Sequence, residues 1–296
     1  NHELHANEII LLSYYIASIN IEAVFDEVNG PERGYEPFEG IVLTDTFEST
    51  ERENSFMDEL LGENNKRLKK QQEQPITAII SNPPYSVGQK NANDDNQNTH
   101  YLKLEETIKK TYVKNSSSGL SMSVYDSYVK AFRWASNRIG NQGVIGFITN
   151  SGYLDSNSTD GLRYSLYNEF NEIYVLNLRG AIRGRSGILA KKEGQNVFDI
   201  MTGVSIIILI KNGTNKHNIY YHDIGDFLSR KEKLSTIQKL NSIEKITWEK
   251  IIPDENNDWI NQRDPKYKSY TKMSGGENSV FNLNAIGVKT NRDMWV

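Results

Sequence analysis

The 296-residue chain predicts an α/β fold built on an open sheet, and the arrangement of its apolar residues is the reason. Short apolar runs of strand length, rich in β-branched residues, recur at 41–43, 76–80, 144–149, 173–178, 203–211 and 218–221. Helical spacing appears between them, at Leu12, Tyr15, Ile16 and Ile19, and again at Tyr125, Tyr128, Val129, Phe132, Ala135 and Ile139. Polar, Gly- or Pro-containing turns follow several of the strands. Strands alternating with helices make an open, largely parallel sheet, whose ligands bind at the carboxyl ends of the strands.

The strand at 76–80 organises the rest. It reads as buried, and Asn82-Pro83-Pro84-Tyr85 must end it, because neither proline can donate to a sheet ladder. Asn82 is thereby expected at the exposed carboxyl end. An exocyclic amino group is a poor nucleophile, since its lone pair is conjugated into the ring. The Asn82 side-chain oxygen and the Pro83 carbonyl oxygen can each accept one of its N–H bonds, drawing the nitrogen toward a tetrahedral shape. Pro84 stiffens the turn, and Tyr85 can stack on a base that has left its duplex. The plainer reading is a Pro-Pro turn beside a packing tyrosine.

Composition is that of a soluble globular protein, with 37% hydrophobic and 24% charged residues. The longest apolar run, 204–210, is too short to span a bilayer, so no membrane partner is expected. The absence of cysteine excludes disulfides and thiolate metal sites and permits a cytoplasmic home. Net charge is −4, but residues 1–65 carry fifteen acids against Arg33 and Arg52, a net of −13, which leaves +9 for residues 66–296. A surface for DNA is therefore expected in the later part.

In chain order, a short strand ends at Glu8, where a helix through Ile21 departs, and the strand 41–43 leads into Asp45 and Phe47. Residues 48–74 read as an exposed helix and loop, and 86–99, dominated by Asn, Gln and Asp, as a loop contacting substrate. The helical face from Tyr125 to Ile139 is expected in the core and to stop at Gly140. Tyr153 follows the next strand and is either a second wall for a flipped base or a packing residue. A helix over 160–170 and a strand over 173–178 then open into a loop with Arg179, Arg183 and Arg185, suited to phosphate contacts, which position DNA without reading it. The loop lacks GxxxxGK[ST] and is no phosphate-cradling P-loop. The last two strands are expected to pair antiparallel at a sheet edge. His217, His222 and Asp223 read as strand alternation, and no metal is assigned.

Asn82-Pro83-Pro84-Tyr85 after a strand resembles motif IV of amino-group DNA methyltransferases, in the adenine-N6 version. SNPPYSVGQKNANDDNQN, SVYDSYVKAFRWASNRI, VLNLRG, IYYHDIGDFLSRKEK and NAIGVKTNRDMWV are similar to the methyltransferase region of Type ISP restriction-modification enzymes, so the resemblance covers nearly the whole chain. It implies a Rossmann-like methyltransferase sheet over 1–225, a helical spacer over 226–246 and the start of a target-recognition region over 247–296. It implies S-adenosyl-L-methionine as cofactor, with Glu8 (Glu3 second) on the ribose hydroxyls, Asp45 on the cofactor's adenine amino group and Phe47 as an apolar wall. Its partner is double-stranded DNA with a flipped adenine, and nuclease and ATP-dependent translocase parts belong to the same polypeptide. The glycine-rich DPAxGTGxF-like cofactor loop of this family appears nowhere in the sequence. The expectation is a fragment that begins after that loop, lacks the first strand, and alone is inactive or binds cofactor weakly. Rival readings are a methyltransferase of similar fold acting on a glutamine side-chain amide, and a non-catalytic DNA-binding module.

Overall fold

A computed structural model of the chain describes residues 3–30, 34–48, 62–85, 100–118, 122–183, 185–263, 266, 269–274 and 279–281. Its regular elements are β1 (Ala6–Glu8), α1 (Leu11–Asn29), β2 (Ile41–Leu43), α2 (Gly62–Glu73), β3 (Ile76–Ser81), α3 (Leu102–Ile108) and α4 (Ser127–Arg138). There follow β4 (Ile139–Asn150), α5 (Asp160–Glu169), β5 (Glu172–Arg179), α6 (Gly187–Lys192), β6 (Val204–Lys211), β7 (Asn218–Asp223), α7 (Arg230–Leu240) and β8 (Glu249–Ile251). The α/β class is as expected. The sheet is mixed, with the order β3-β4-β6-β5-β7-β8, and β1 and β2 form a separate parallel pair.

β3 runs parallel to β4, β6 runs antiparallel to both β4 and β5, and β5 runs parallel to β7. The carboxyl ends of β3, β4, β5 and β7 therefore share one edge with the amino end of β6. β6 reads VSIIILIK, a near-continuous apolar run, because a strand covered on both faces cannot alternate with polar residues. That placement corrects the expected antiparallel edge pair. β6 is inserted between β4 and β5, and β7 pairs with β5 on one side and with β8 on the other.

Alternation along β5 feeds two cores. Ile173 and Val175 pack with Ile145, Ile207 and Leu209 against the α4 and α5 side, where Phe132, Leu162 and Leu166 are fully buried. Leu176 and Leu178 join Val204 and Ile224 on the opposite face, under Ile237 and Leu240 of α7. The helix expected as a spacer thus closes the second face of the sheet, and its Lys233 is wholly buried. α4 ends at Arg138, and β4 begins at once with the extended Ile139, two residues short of the expected stop at Gly140.

Two buried arginines knit the helical side. Arg133 forms a fork with both carboxylate oxygens of Glu169, at 2.7 and 2.9 Å. Arg163, fully buried, donates to the carbonyls of Tyr153, Ser156 and Asn257, to Thr159, and to Asp258 at 2.6 Å. A buried guanidinium is tolerated because its donors are satisfied.

The β3 strand departs from its expected burial. Only Ile79 is buried, Ile80 is 90% exposed, and among the described residues β3 has a partner on one side alone. α1 likewise forms as expected but buries none of its residues. By compactness the chain divides into Asn1–Ile260 and Asn261–Val296, so β8 and the buried Trp259 belong to the first unit. The described part of the second unit contains a parallel bridge between Ser274 and Phe281.

Candidate active site

The Asn-Pro-Pro-Tyr turn leaves β3 at the shared edge. Asn82 and Pro84 are exposed, Pro83 is buried, and Tyr85 is half-buried. The Tyr85 hydroxyl lies 2.6 Å from Asn82 Oδ1 and 3.1 Å from the carbonyl oxygen of Ile148 on β4. One phenolic proton serves two acceptors, with the shorter contact to Asn82. Burial pushes the Tyr85 pKa up to about 12, so at neutral pH the phenol is a donor and not a base.

The Tyr85 ring faces Phe198, with centroids 6.3 Å apart and planes inclined by 43°. Phe198 was not singled out from the sequence. It lies more than a hundred residues from Tyr85, and only the insertion of β6 beside β4 brings the turn before β6 to the edge that holds Asn82. That turn is braced on both sides. Asn196 Nδ2 donates to the carbonyls of Gly180 (3.1 Å) and Thr202 (2.7 Å), while Asn196 Oδ1 accepts from Phe198 N (2.8 Å). Ser151 N, just past β4, donates to the Gly203 carbonyl at 2.9 Å. A Cβ at Gly203 would stand 2.3 Å from Ser151 Oγ, so a larger residue there would oblige the Ser151 hydroxyl to turn away.

Tyr153 does not reach this edge as a wall for a base. It is fully buried, its hydroxyl is 3.1 Å from Ser205 Oγ, and its ring packs edge-on against Phe132 and Trp259. It is a packing residue, and the three-residue helical turn after β4 folds its ring inward.

The arginines of the loop after β5 divide. Arg179, in the left-handed region at φ 57°, is held by Asp223 (2.7 Å) and Asp226 (2.5 Å) at the end of β7. Arg185 pairs with Glu193 and reaches Asp155 at 3.4 Å. Both are already neutralised, which the sequence did not reveal because their acids lie on other segments. Arg183 is exposed and among the described residues has no acidic partner.

β1 and β2 bring Glu8, Asp45 and Phe47 to one edge of their own pair, for Glu8 is in register with Leu43. Glu8 Oε1 accepts from the backbone of Ile9 and Ile10 (2.9 and 3.0 Å), capping the start of α1. Asp45 Oδ1 accepts from Phe47 N at 2.9 Å, and Oδ2 accepts from the Tyr101 hydroxyl at 2.7 Å. Phe47 packs edge-on against Tyr101, 5.4 Å between centroids. Glu3 lies on the turn before β1. The loop 86–99 lies outside the described residues.

A family model described as the Eco57I restriction-modification methylase matches residues 6–181. Among solved structures, the chain is similar over 99% of its length to a nuclease-deletion mutant of the Type ISP restriction-modification enzyme LlaGI in complex with a DNA substrate mimic, at 56% identity and a TM-score of 0.94. It is similar over the same share to the ATP-dependent Type ISP restriction-modification enzyme LlaBIII bound to DNA, at 50% identity and TM-score 0.93. The DrdV–DNA complex follows at 36% identity, 99% coverage and TM-score 0.88. The chain spans 24%, 20% and 29% of those three chains respectively. No curated protein sequence matches. With the family model covering more than half of the chain and including the turn at Asn82, this protein belongs to the Eco57I restriction-modification methylase family.

Proposed function

We propose that this chain is the catalytic segment of a DNA methyltransferase that transfers a methyl group from S-adenosyl-L-methionine to the N6 of a flipped adenine. The observation that carries the reading is the Asn82-Pro83-Pro84-Tyr85 turn at the carboxyl edge of a parallel strand pair, with Phe198 facing Tyr85. Asn82 Oδ1 and the Pro83 carbonyl accept the two amino hydrogens and orient the nitrogen lone pair. An amide oxygen has two lone pairs, so Asn82 can take the substrate while Tyr85 keeps or releases its own contact. The Ile148 carbonyl, 3.1 Å away, gives the phenol another acceptor as it gives way. Tyr85 and Phe198 then flank the base. With its pKa pushed up to about 12 by burial, Tyr85 stays protonated and is not the base for the proton that N6 loses.

Part of the cofactor fits the residues present. Glu8 is half-buried and keeps acceptor capacity beyond its two backbone contacts, which suits a carboxylate that takes ribose hydroxyls. Asp45, held by Tyr101 and by its own turn, is an oriented acceptor for an adenine amino group, with Phe47 as the apolar wall. When bound, the cofactor supplies an electrophilic methyl on a sulfonium, whose lost charge drives the transfer. Among the described residues no glycine-rich turn addresses its methionine end. The open side of β3, with Ile80 exposed, is suited to a further strand carrying such a turn. Residues 247–296 are proposed as the beginning of a target-recognition region. In the parent polypeptide we place nuclease and ATP-dependent translocase parts, as the relatives' length and descriptions support.

The test is methyl transfer from labelled S-adenosylmethionine to unmethylated DNA by the full-length polypeptide. Label on adenine is expected, and Asn82→Ala should lower the rate by about 10²–10³, the usual loss for one preorganised group at a reacting centre. Label on a protein glutamine, or an undiminished rate in Asn82→Ala, would refute the reading.

A further inference from the structure

An extruded adenine leaves a gap in the duplex, bounded by the flat apolar faces of the neighbouring base pairs. Proteins that open base steps lower the cost by inserting apolar side chains. Such a side chain must be exposed, rigidly held, close to the pocket that receives the base, and set among cations.

The braced turn before β6 presents these features beside Phe198. Ile182 N and Arg183 N both donate to the Met201 carbonyl, at 3.1 and 3.2 Å, fastening the loop after β5 to the turn before β6. The Asn196 amide ties the same two segments at Gly180 and Thr202. Yet the side chains at the junction are turned outward: Met201 is 63% exposed and Ile182 40%. Phe198, three residues before Met201, packs inward against the apolar core beneath the sheet and faces Tyr85. Arg183, exposed and next in sequence to Ile182, supplies the positive charge at the tip.

α1 is the instructive counter-case. It too exposes large apolar side chains, among them Leu12, Ile16 and Ile19, but it lies in the first 65 residues, where acids outnumber bases fifteen to two. A phosphate backbone would be repelled there. At the Ile182–Met201 junction exposed apolar side chains adjoin Arg183, which has no acidic partner among the described residues, and lie next to the turn that carries Phe198.

We infer that Met201 and Ile182 form a wedge that enters the DNA base stack in the space vacated by the target adenine. They are positioning residues that make extrusion cheaper and do not touch the reacting atoms. This inference rests on the methyltransferase reading above.

The experiment first locates the adenine modified by the full-length polypeptide, by sequencing DNA for N6-methyladenine after incubation with S-adenosylmethionine. Single-turnover methylation is then measured on two short duplexes carrying that site, one fully paired and one with an abasic residue opposite the target adenine. In the abasic duplex the adenine is already unpaired, so a wedge has little left to do. The double variant Ile182→Ala, Met201→Ala should methylate the paired duplex about tenfold more slowly and the abasic duplex nearly as fast as the unmodified protein. Met201→Leu, which keeps an apolar side chain of similar size, should retain the rate on both. Equal loss on the two duplexes, or no loss on the paired one, would overturn the wedge. If the unmodified protein itself methylates neither duplex, the methyltransferase reading fails and the wedge falls with it, an outcome told apart by needing no variant.

Discussion

The six-stranded sheet buries Ile145, Ile173, Val175, Ile207 and Leu209 completely, whereas α1, beside the two-stranded sheet, buries nothing. Both regions come from the same kind of sequence, apolar residues at strand or helix spacing. The difference is in what surrounds them. β5 and β6 have a strand on either side and helices on both faces, so each apolar side chain meets several others. Among the described residues the α1 stripe lies beside a two-stranded ribbon, too narrow to cover it, and Tyr14 takes a hydrogen bond from Arg67 of α2 at 3.1 Å. An apolar stripe specifies that a face must be covered, not by what. β3 stands between the two regimes, paired with β4 on one side and open on the other, and it carries the residues proposed for the chemistry.

The sharpest test of that contrast is stability. Arg163→Ala strands a buried Asp258 carboxylate and should cost about 3–5 kcal/mol, whereas Ile16→Ser on α1 should stay within about 0.5 kcal/mol. Urea unfolding followed by tryptophan fluorescence reads both, and comparable losses would erase the distinction. A smaller effect is expected where the sheet edge meets substrate. Phe198→Leu, which keeps apolar packing against the core but removes the ring, should lose a stacking partner worth about 1–3 kcal/mol, slowing methyl transfer and weakening DNA binding by more than it shifts the urea midpoint.

The arginines sharpen the comparison at the surface. Arg183→Ala should reduce the magnitude of the slope of log K against log salt for DNA binding by about 0.9, the release expected from one phosphate contact. Arg179→Ala, whose guanidinium is bound by Asp223 and Asp226, should not lower it in the same way. If the two behave alike, the ion pairs at Arg179 open on binding.

The last prediction concerns pH. Lys233 donates to the carbonyls of Leu178 and Glu193, both at 2.8 Å, and burial lowers its pKa from 10.5 to about 8. Between those values the unfolded chain holds a proton that the folded one has released, so folding stability should rise with pH across the window. Lys233→Met should flatten that rise. A variant that keeps the same slope would show that Lys233 remains charged in the fold.

How far the sequence could be read is clearest at the site residues. The position of the Asn82 turn was legible because prolines end a strand wherever it lies, and those of Glu8, Asp45 and Phe47 because Glu8 ends one short strand and the other two follow the next. Those are local rules, and the first two also satisfy their local backbone donors as capping residues do. Tyr153 was ambiguous because nothing in its neighbours tells whether a short helical turn faces inward. Phe198 was invisible because its place beside Tyr85 depends on β6 entering between β4 and β5.

By itself, then, the sequence determined the types of the main elements, the strand ends where the residues proposed for chemistry stand and the lack of any cysteine chemistry. The tertiary structure decided the order of strands, which arginines are spent on acids and which apolar side chains remain in water. The physical reason is range. Propensity, capping and proline sterics act within a few residues, while strand order, ion pairing and burial depend on segments dozens to more than a hundred residues apart, which only packing brings together.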